Sequence, residues 1–276
     1  MTDSADDVRV TGINVYPIKS TAGIAVDASS VEAQGLAMDR RWMVVDENGG
    51  CLTGREYPIL TQIRSRLDEE GLSITAPGAD EIPIPVPAES APVKIVTVWG
   101  DECRTLSADA AVDRWFTELL DTRCHLVYMG DARQRPVNID YSRTGDSVSF
   151  ADGYPLLLIS EASLADLNTR LSESVTMGRF RPNVVVGGCE AYAEDGWRAI
   201  GVGETRFDGA ENCPRCVFTT IDPDNGARHP RQEPLRTLGG YRRAADGGVL
   251  FGQTLIPRRM GTIRVGDVVT VGDHSA

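Results

Sequence analysis

Through the first hundred residues apolar positions recur with a period of two, the spacing of a half-buried strand. Val8, Val10, Ile13 and Val15 alternate around Gly12. Residues 41–45 and 51–53 flank Asp46-Glu47-Asn48-Gly49-Gly50, whose Asn-Gly pair suits a hairpin turn. Ile63, Ser65 and Leu67, then Leu72 and Ile74, flank Asp68-Glu69-Glu70-Gly71 and predict a second hairpin. Ile82-Pro83-Ile84-Pro85-Val86-Pro87 cannot donate a continuous ladder, so it is an edge strand or an extended connector. Residues 93–99 read as a further strand. Many short strands separated by turn signals predict a barrel or sandwich.

The period then changes. Val112, Trp115, Phe116, Leu119 and Leu120 stand at i, i+3, i+4, i+7 and i+8, one stripe of a helix, with Ser107 as its expected N-cap. Residues 124–129 return to a strand, and the polar stretch 130–145 is the expected linker between domains. Beyond it, residues 154–159 read as a buried strand. Ser160-Glu161 opens a helix with Leu164, Leu167 and Leu171 on one face. Residues 181–186 lead into another strand. Residues 199–271 read as short strands ending in a hairpin around Val265-Gly266-Asp267-Val268.

Composition narrows the class. Of 276 residues, 41% are hydrophobic and 25% charged, enough for a sizeable core. The net charge of −12 argues against a nucleic-acid binder and against docking on anionic lipid. No apolar run approaches the ~18 residues of a membrane span, and the acidic start lacks signal-peptide character. These features predict a soluble, cytoplasmic protein without membrane attachment. Six cysteines scattered over the chain fit reduced thiols better than a disulfide framework. Arginine dominates the basic residues; the lysines are Lys19 and Lys94.

The candidate chemistry centres on Asn212-Cys213-Pro214-Arg215-Cys216. A thiolate suits a soft metal or nucleophilic chemistry. A protein-only zinc site would have to gather ligands from scattered positions. A thioredoxin-like pair would sit at a strand-to-helix turn of a βαβ unit, whereas residues 217–221 read as a strand running into a turn. Buried structural cysteines are the plain alternative. Arg215 can lower either thiol's pKa if its side chain points that way, and chemistry alone does not choose between Cys213 and Cys216. Ser160 and Ser163 read as helix caps rather than nucleophiles. Asp152, before the apolar run, is either a turn aspartate or a carboxylate able to orient a substrate or relay a proton. Arg228, Arg231, Arg236, Arg242 and Arg243 crowd one segment, as a cofactor mouth, a docking patch or a solvated loop.

Further motifs stand in order around that run: Tyr16-Pro17-Ile18-Lys19-Ser20, Phe180-Arg181-Pro182-Asn183-Val184-Val185-Val186, Leu250-Phe251-Gly252-Gln253 and Gly261-Thr262-Ile263-Arg264-Val265-Gly266-Asp267. Together, over nearly the whole chain, they resemble the MOSC family, named for the C-terminal domain of molybdenum cofactor sulfurase. Within it they resemble the mitochondrial amidoxime-reducing component and its bacterial relatives. The resemblance implies an α+β, mainly β fold: an N-terminal β-barrel-like domain over residues 1–129 and a C-terminal MOSC β-barrel with a few helices over 130–276. It implies a molybdenum–molybdopterin cofactor with Cys216 as metal ligand and Cys213 as its neighbour. It places Lys19, Ser20, Arg40, Arg181, Asn183 and Thr219 around the cofactor, Asp152 near the metal, and Cys189 in the vicinity. Pro182 is expected to keep Arg181 extended. The implied activity is two-electron reduction of N-hydroxylated compounds such as amidoximes and hydroxylamines; a cofactor carrier without turnover is the alternative. The cysteine positions offer no ferredoxin spacing, and no G-x-G-x-x-G run is present. A separate electron-transfer protein, a ferredoxin or a cytochrome with its reductase, is therefore expected.

Overall fold

The computed structural model describes residues 7–131, 135–137 and 140–272. Strands take 43% of the residues and helices 15%, which makes the molecule α+β and mainly β, as the period-two patterning requires. The largest sheet has eight strands in the order Ile24–Val26, Arg9–Val15, Val184–Gly187, Leu156–Ser160, Val249–Arg259, Thr205–Arg215, Ala199–Val202 and Val269–Gly272. Its neighbours pair antiparallel except Leu156–Ser160 with Val184–Gly187, which are parallel. A parallel pair needs a crossover, and the helix Glu161–Thr169 lies in it. Ser160 caps that helix: its Oγ accepts the Ser163 N–H at 3.0 Å, as the sequence predicts. Val10, Ile13, Val15, Leu158, Phe207 and Leu255 fill the core beneath this sheet.

A second core lies between two smaller sheets. One has the order Trp42–Asp46, Cys124–Tyr128, Asp101–Ser107, Val93–Val98; the other is Arg64–Leu67, Gly71–Ala76, Ala79–Pro85. The proline-rich strand Ala79–Pro85 is an edge, as its missing donors demand. The helix Ala110–Leu120 buries Val112, Phe116 and Leu120 among Trp42, Leu60, Ile74 and Leu126. Its N-cap is Asp109, not Ser107; Ser107 is the last residue of the strand Asp101–Ser107. Sequence patterning missed that strand because charged residues alternate there with Cys103 and Thr105 rather than with large aliphatics.

The two halves are interleaved. Arg9–Val15 pairs with Val184–Gly187, and Ala28–Glu32 pairs with Gly261–Arg264. Strands from the first 36 residues therefore complete sheets of the C-terminal half, across the expected division at 129/130. That division remains our proposal for the two domains. The expected terminal hairpin does not form: Gly261–Arg264 joins the Ala28–Glu32 strand, while Val269–Gly272 joins Ala199–Val202. The turn between them is real, but Val10 enters it, donating to Asp267 O at 2.9 Å and accepting from Gly266 N at 2.8 Å. The strands expected over 199–271 are not all short. Thr205–Arg215 and Val249–Arg259 each run 11 residues, and register shifts along them break the apolar alternation.

Candidate functional site

Loops from both halves line one cavity of about 260 Å³. Lys19, Ser20, Arg40, Asp152, Arg181, Asn183, Cys213, Cys216 and Thr219 all line it. Sequence positions up to two hundred residues apart are thus brought together. The strand Thr205–Arg215 ends there, carrying Cys213 and Arg215. Residues 217–220 form a 3₁₀ turn rather than the expected strand, and Cys216 is its N-cap. The Thr219 Oγ1 donates to Cys216 O at 3.0 Å, so this hydroxyl fixes the loop that presents the thiol. No βαβ unit surrounds the pair, since Thr205–Arg215 is antiparallel to both its neighbours.

The two cysteines differ in surroundings. Arg215 Nη1 donates to Cys213 Sγ at 3.0 Å and Nη2 to Phe180 O at 2.7 Å. Burial nevertheless raises the Cys213 pKa, with Arg215 opposing. Cys213 is therefore held as a thiol by its environment, while Cys216 stands at the mouth of the 3₁₀ turn.

The cationic side of the cavity is built on Tyr16. The guanidinium carbons of Arg40 and Arg181 lie 4.5 and 4.2 Å from its ring centroid. Cation–π attraction offsets part of the repulsion between the two cations. The Tyr16 hydroxyl donates to Pro182 O at 3.1 Å; burial pushes its pKa up to about 12, against the pull of Arg181 and Arg40. Arg40 is fully engaged: Nη1 bonds Asp39 Oδ2 at 2.5 Å and Asn183 Oδ1 at 3.0 Å, and Nη2 bonds Arg181 O at 3.3 Å. Arg181 donates to the Thr21 carbonyl. Among the described residues no carboxylate forms an ion pair with it, and burial followed by Arg40 lowers its pKa to about 10. A cation so placed suits an anionic ligand such as a phosphate. The Asn183 amide is occupied within the protein, accepting from Arg40 and Leu157 N and donating to Asn14 O.

Ser20, Arg40 and Arg181 all have positive φ, at 73°, 49° and 57°. This corrects the extended geometry expected for Arg181: Pro182 excludes the right-handed helical region, and the chain takes the left-handed one instead. Each such residue stores about 1–3 kcal/mol, a cost that clusters at ligand sites.

Asp152 also lines the cavity. Lys19, 7% exposed, donates to Phe150 O at 2.7 Å and to Asp152 Oδ1 at 2.5 Å. Trp99 Nε1 donates to the same oxygen at 3.1 Å. Desolvation opposes the charge, but Lys19 and Trp99 override it and hold the carboxyl well below the usual carboxylate range. Asp152 is thus a fixed anion. Beneath it Arg135, 4% exposed, grips the carbonyls of Ser149 and Ala151 at 2.9 and 2.7 Å, and that of Asp152.

Sequence reasoning missed Arg55, Trp99, Tyr154 and Glu211, which also line the cavity. Trp99 carried the one legible signal, an aromatic at a strand end; it is 52% exposed and has φ 53°. Arg228, Arg231, Arg236, Arg242 and Arg243 do not line the cavity. Arg242 pairs with Asp195 at 2.5 Å and Arg243 bonds Gly247 O at 3.0 Å, so the cofactor-mouth reading of this segment falls away. Cys189 packs against the core of the large sheet, away from the cavity.

Residues 7–123 match the MOSC N-terminal beta barrel domain, and residues 145–270 match the MOSC domain. Mitochondrial amidoxime reducing component 2 of Rattus norvegicus is 37% identical over 279 residues, covering 94% of this chain and 82% of the relative. Mitochondrial amidoxime-reducing component 1 of Homo sapiens is 35% identical, covering 92% and 80%. Among solved structures, the YUAD protein from Bacillus subtilis aligns over 95% of this chain and 93% of its own, at 10% identity and a TM-score of 0.46. By domain content and by identity over most of its length, this chain belongs to the family of MOSC-domain proteins that includes the mitochondrial amidoxime-reducing components.

Proposed function

We propose that this protein is a molybdenum-cofactor-dependent reductase of N-hydroxylated compounds, amidoximes and hydroxylamines among them. Kinship supports a function tied to the molybdenum cofactor and an oxidoreductase role. The observation that carries the finer reading is one cavity that unites a thiol at a loop tip, Cys216, with a guanidinium that pairs with no carboxylate among the described residues, Arg181, and a fixed anion, Asp152.

These residues fit the cofactor. Molybdopterin offers a phosphate, polar pterin edges and two sulfurs for the metal. Arg181 would take the anionic part, with Arg40 holding its backbone and neighbour Asn183 in place. Ser20 follows Lys19 in the chain and also lines the cavity. Cys216 would supply the protein thiolate, and Thr219 its fixed loop. When bound, the group supplies two-electron chemistry at an oxygen acceptor. The protein's part is to position substrate, exclude competitors and manage protons. Asp152 would accept a hydrogen bond from the substrate's N–H or O–H and orient it, since its charge is held in place by Lys19 and Trp99. Reduction of an amidoxime to an amidine consumes two electrons and two protons and releases water. The electrons would come from a separate ferredoxin, or from a cytochrome with its reductase.

No helix among the described residues is long and apolar enough to cross a membrane. The relatives are named mitochondrial, and a cytoplasmic place for this chain is our proposal, checked by cell fractionation. The function is tested by molybdenum content in plasma mass spectrometry, pterin fluorescence after oxidation, and benzamidoxime turnover with reduced methyl viologen. Turnover also separates a reductase from a cofactor carrier. Cys216→Ser should abolish turnover, while Cys213→Ser keeps a substantial fraction; the reverse order would refute the ligand assignment. NADH or NADPH alone should support no turnover.

A further inference from the structure

Two carboxyl groups line the cavity, Asp152 and Glu211, and their environments are opposite. Asp152 is tied to a lysine and an indole N–H and cannot readily hold a proton. Among the described residues no cation acts on Glu211. It reaches the cavity through a distortion of the backbone. The strand Thr205–Arg215 pairs Gly209 with Leu255 and Asn212 with Gln253, so Ala210 and Glu211 together oppose the single residue Thr254. This is a β-bulge, a device that re-aims a side chain. The Thr254 hydroxyl stitches it shut, accepting from Glu211 N at 3.1 Å and donating to Glu211 O at 2.8 Å.

Tyr154 faces Glu211 closely enough for each to shift the other's titration. Its side chain lines the cavity, the residue is 7% exposed, and its hydroxyl is turned toward the Glu211 carboxyl. Glu211 also lines an open surface pocket with Tyr141 and Asn212. It therefore stands between solvent and the cavity, where a proton can be replaced after use.

We infer that Glu211, aided by Tyr154, is the proton donor to the oxygen that leaves the substrate, with Asp152 remaining an anion throughout. The inference rests on the reductase reading above. The N–O bond breaks and two electrons enter from the separate electron-transfer protein. The Glu211 carboxyl proton joins the departing hydroxyl, which leaves as water, and a second proton, from solvent, goes to the substrate nitrogen. Glu211 is then reprotonated through the surface pocket. The direction of its titration agrees. Burial raises its pKa, Tyr154 opposes, and Asp140 and Asp246 add to the rise; Cys213, on the same strand, is the other titratable neighbour that feels it.

The test has two readouts. Carboxyl ¹³C NMR of Glu-labelled protein without cofactor, assigned by the signal lost in Glu211→Gln, should show a midpoint above the ordinary glutamate value of about 4.3. A midpoint at or below it overturns the inference whatever the substrate. In loaded protein, Glu211→Gln should lower kcat for benzamidoxime by about 100-fold and abolish the alkaline limb of its pH profile, with KM and molybdenum content near wild type. Glu211→Asp should restore part of the rate. Wild-type turnover with an unaffected Glu211→Gln variant overturns this inference alone; no wild-type turnover overturns the reductase reading and the inference with it.

Discussion

At the scale of residues, the site is a set of charges with unequal duties. Arg40 and Arg181 share the Tyr16 ring, yet their removal should have different consequences. Arg40 neutralises Asp39, which is 1% exposed, and ties it to Asn183. Arg40→Ala would strand a buried carboxylate, at about 3 kcal/mol. Arg181 has a pKa depressed to about 10, so its charged form costs stability at every pH below that value. Arg181→Ala should leave the melting temperature of the cofactor-free protein unchanged or slightly higher, while pterin occupancy falls. Calorimetry of both variants with pterin fluorescence checks this; a large stability loss in Arg181→Ala with normal occupancy would sink it. The residues themselves were legible early, because thiol, guanidinium and lysine positions matched family motifs. Their conformation was not. Nothing in the sequence places Ser20, Arg40 and Arg181 at positive φ, since only packing pays that strain.

At the scale of elements, the segment 149–152 shows how an irregular stretch becomes rigid. Its carbonyls are collected by two side chains, Arg135 and Lys19. Arg135 comes from a stretch that the sequence marks only as a polar linker. Its side chain also bonds Asp101 at 2.9 Å, tying the hairpin that carries Trp99 to the Asp152 wall. Hydrogen bonds to a charged group contribute about 1.5–3 kcal/mol each. Arg135→Ala should therefore destabilise the protein by about 3 kcal/mol and lower kcat by loosening the Lys19–Asp152 pair, with molybdenum content preserved. Thermal melts, metal analysis and turnover on one preparation decide it; normal kcat at full occupancy would show that the clamp is dispensable. Regular elements were easier to read. The helix Ala110–Leu120 and the Ser160 cap follow from local rules, whereas the bulge at Ala210 and Glu211 follows from register between two long strands and has no local signature.

At the scale of the whole molecule, interleaving should make the halves fold as one. Arg9–Val15 lies inside the eight-stranded sheet, between Ile24–Val26 and Val184–Gly187. The cavity is walled from both halves as well. Cofactor-free protein is expected to unfold in a single calorimetric transition, with calorimetric and van't Hoff enthalpies equal. Two resolved transitions would show that the first strand's pairing does not couple the halves. The net charge of −12 belongs to this scale too: the electron carrier we propose, if acidic, would approach against it or through a local basic patch. The segment with Arg228 and Arg231 is our proposed docking surface.

The sequence by itself determined the class of fold, the main strands and the helices Ala110–Leu120 and Glu161–Thr169, because periodicity and caps are local properties. It also singled out the thiols, cations and carboxylate whose motifs stand in family order. Tertiary structure alone decided which of them face one another. It turned residues 217–220 into a 3₁₀ turn, split the terminal hairpin between two sheets by inserting Val10, and set Asp152 as an anion while leaving Glu211 half-buried with no cation acting on it among the described residues. These outcomes depend on contacts between residues far apart in the chain, and such contacts leave no pattern in neighbouring positions.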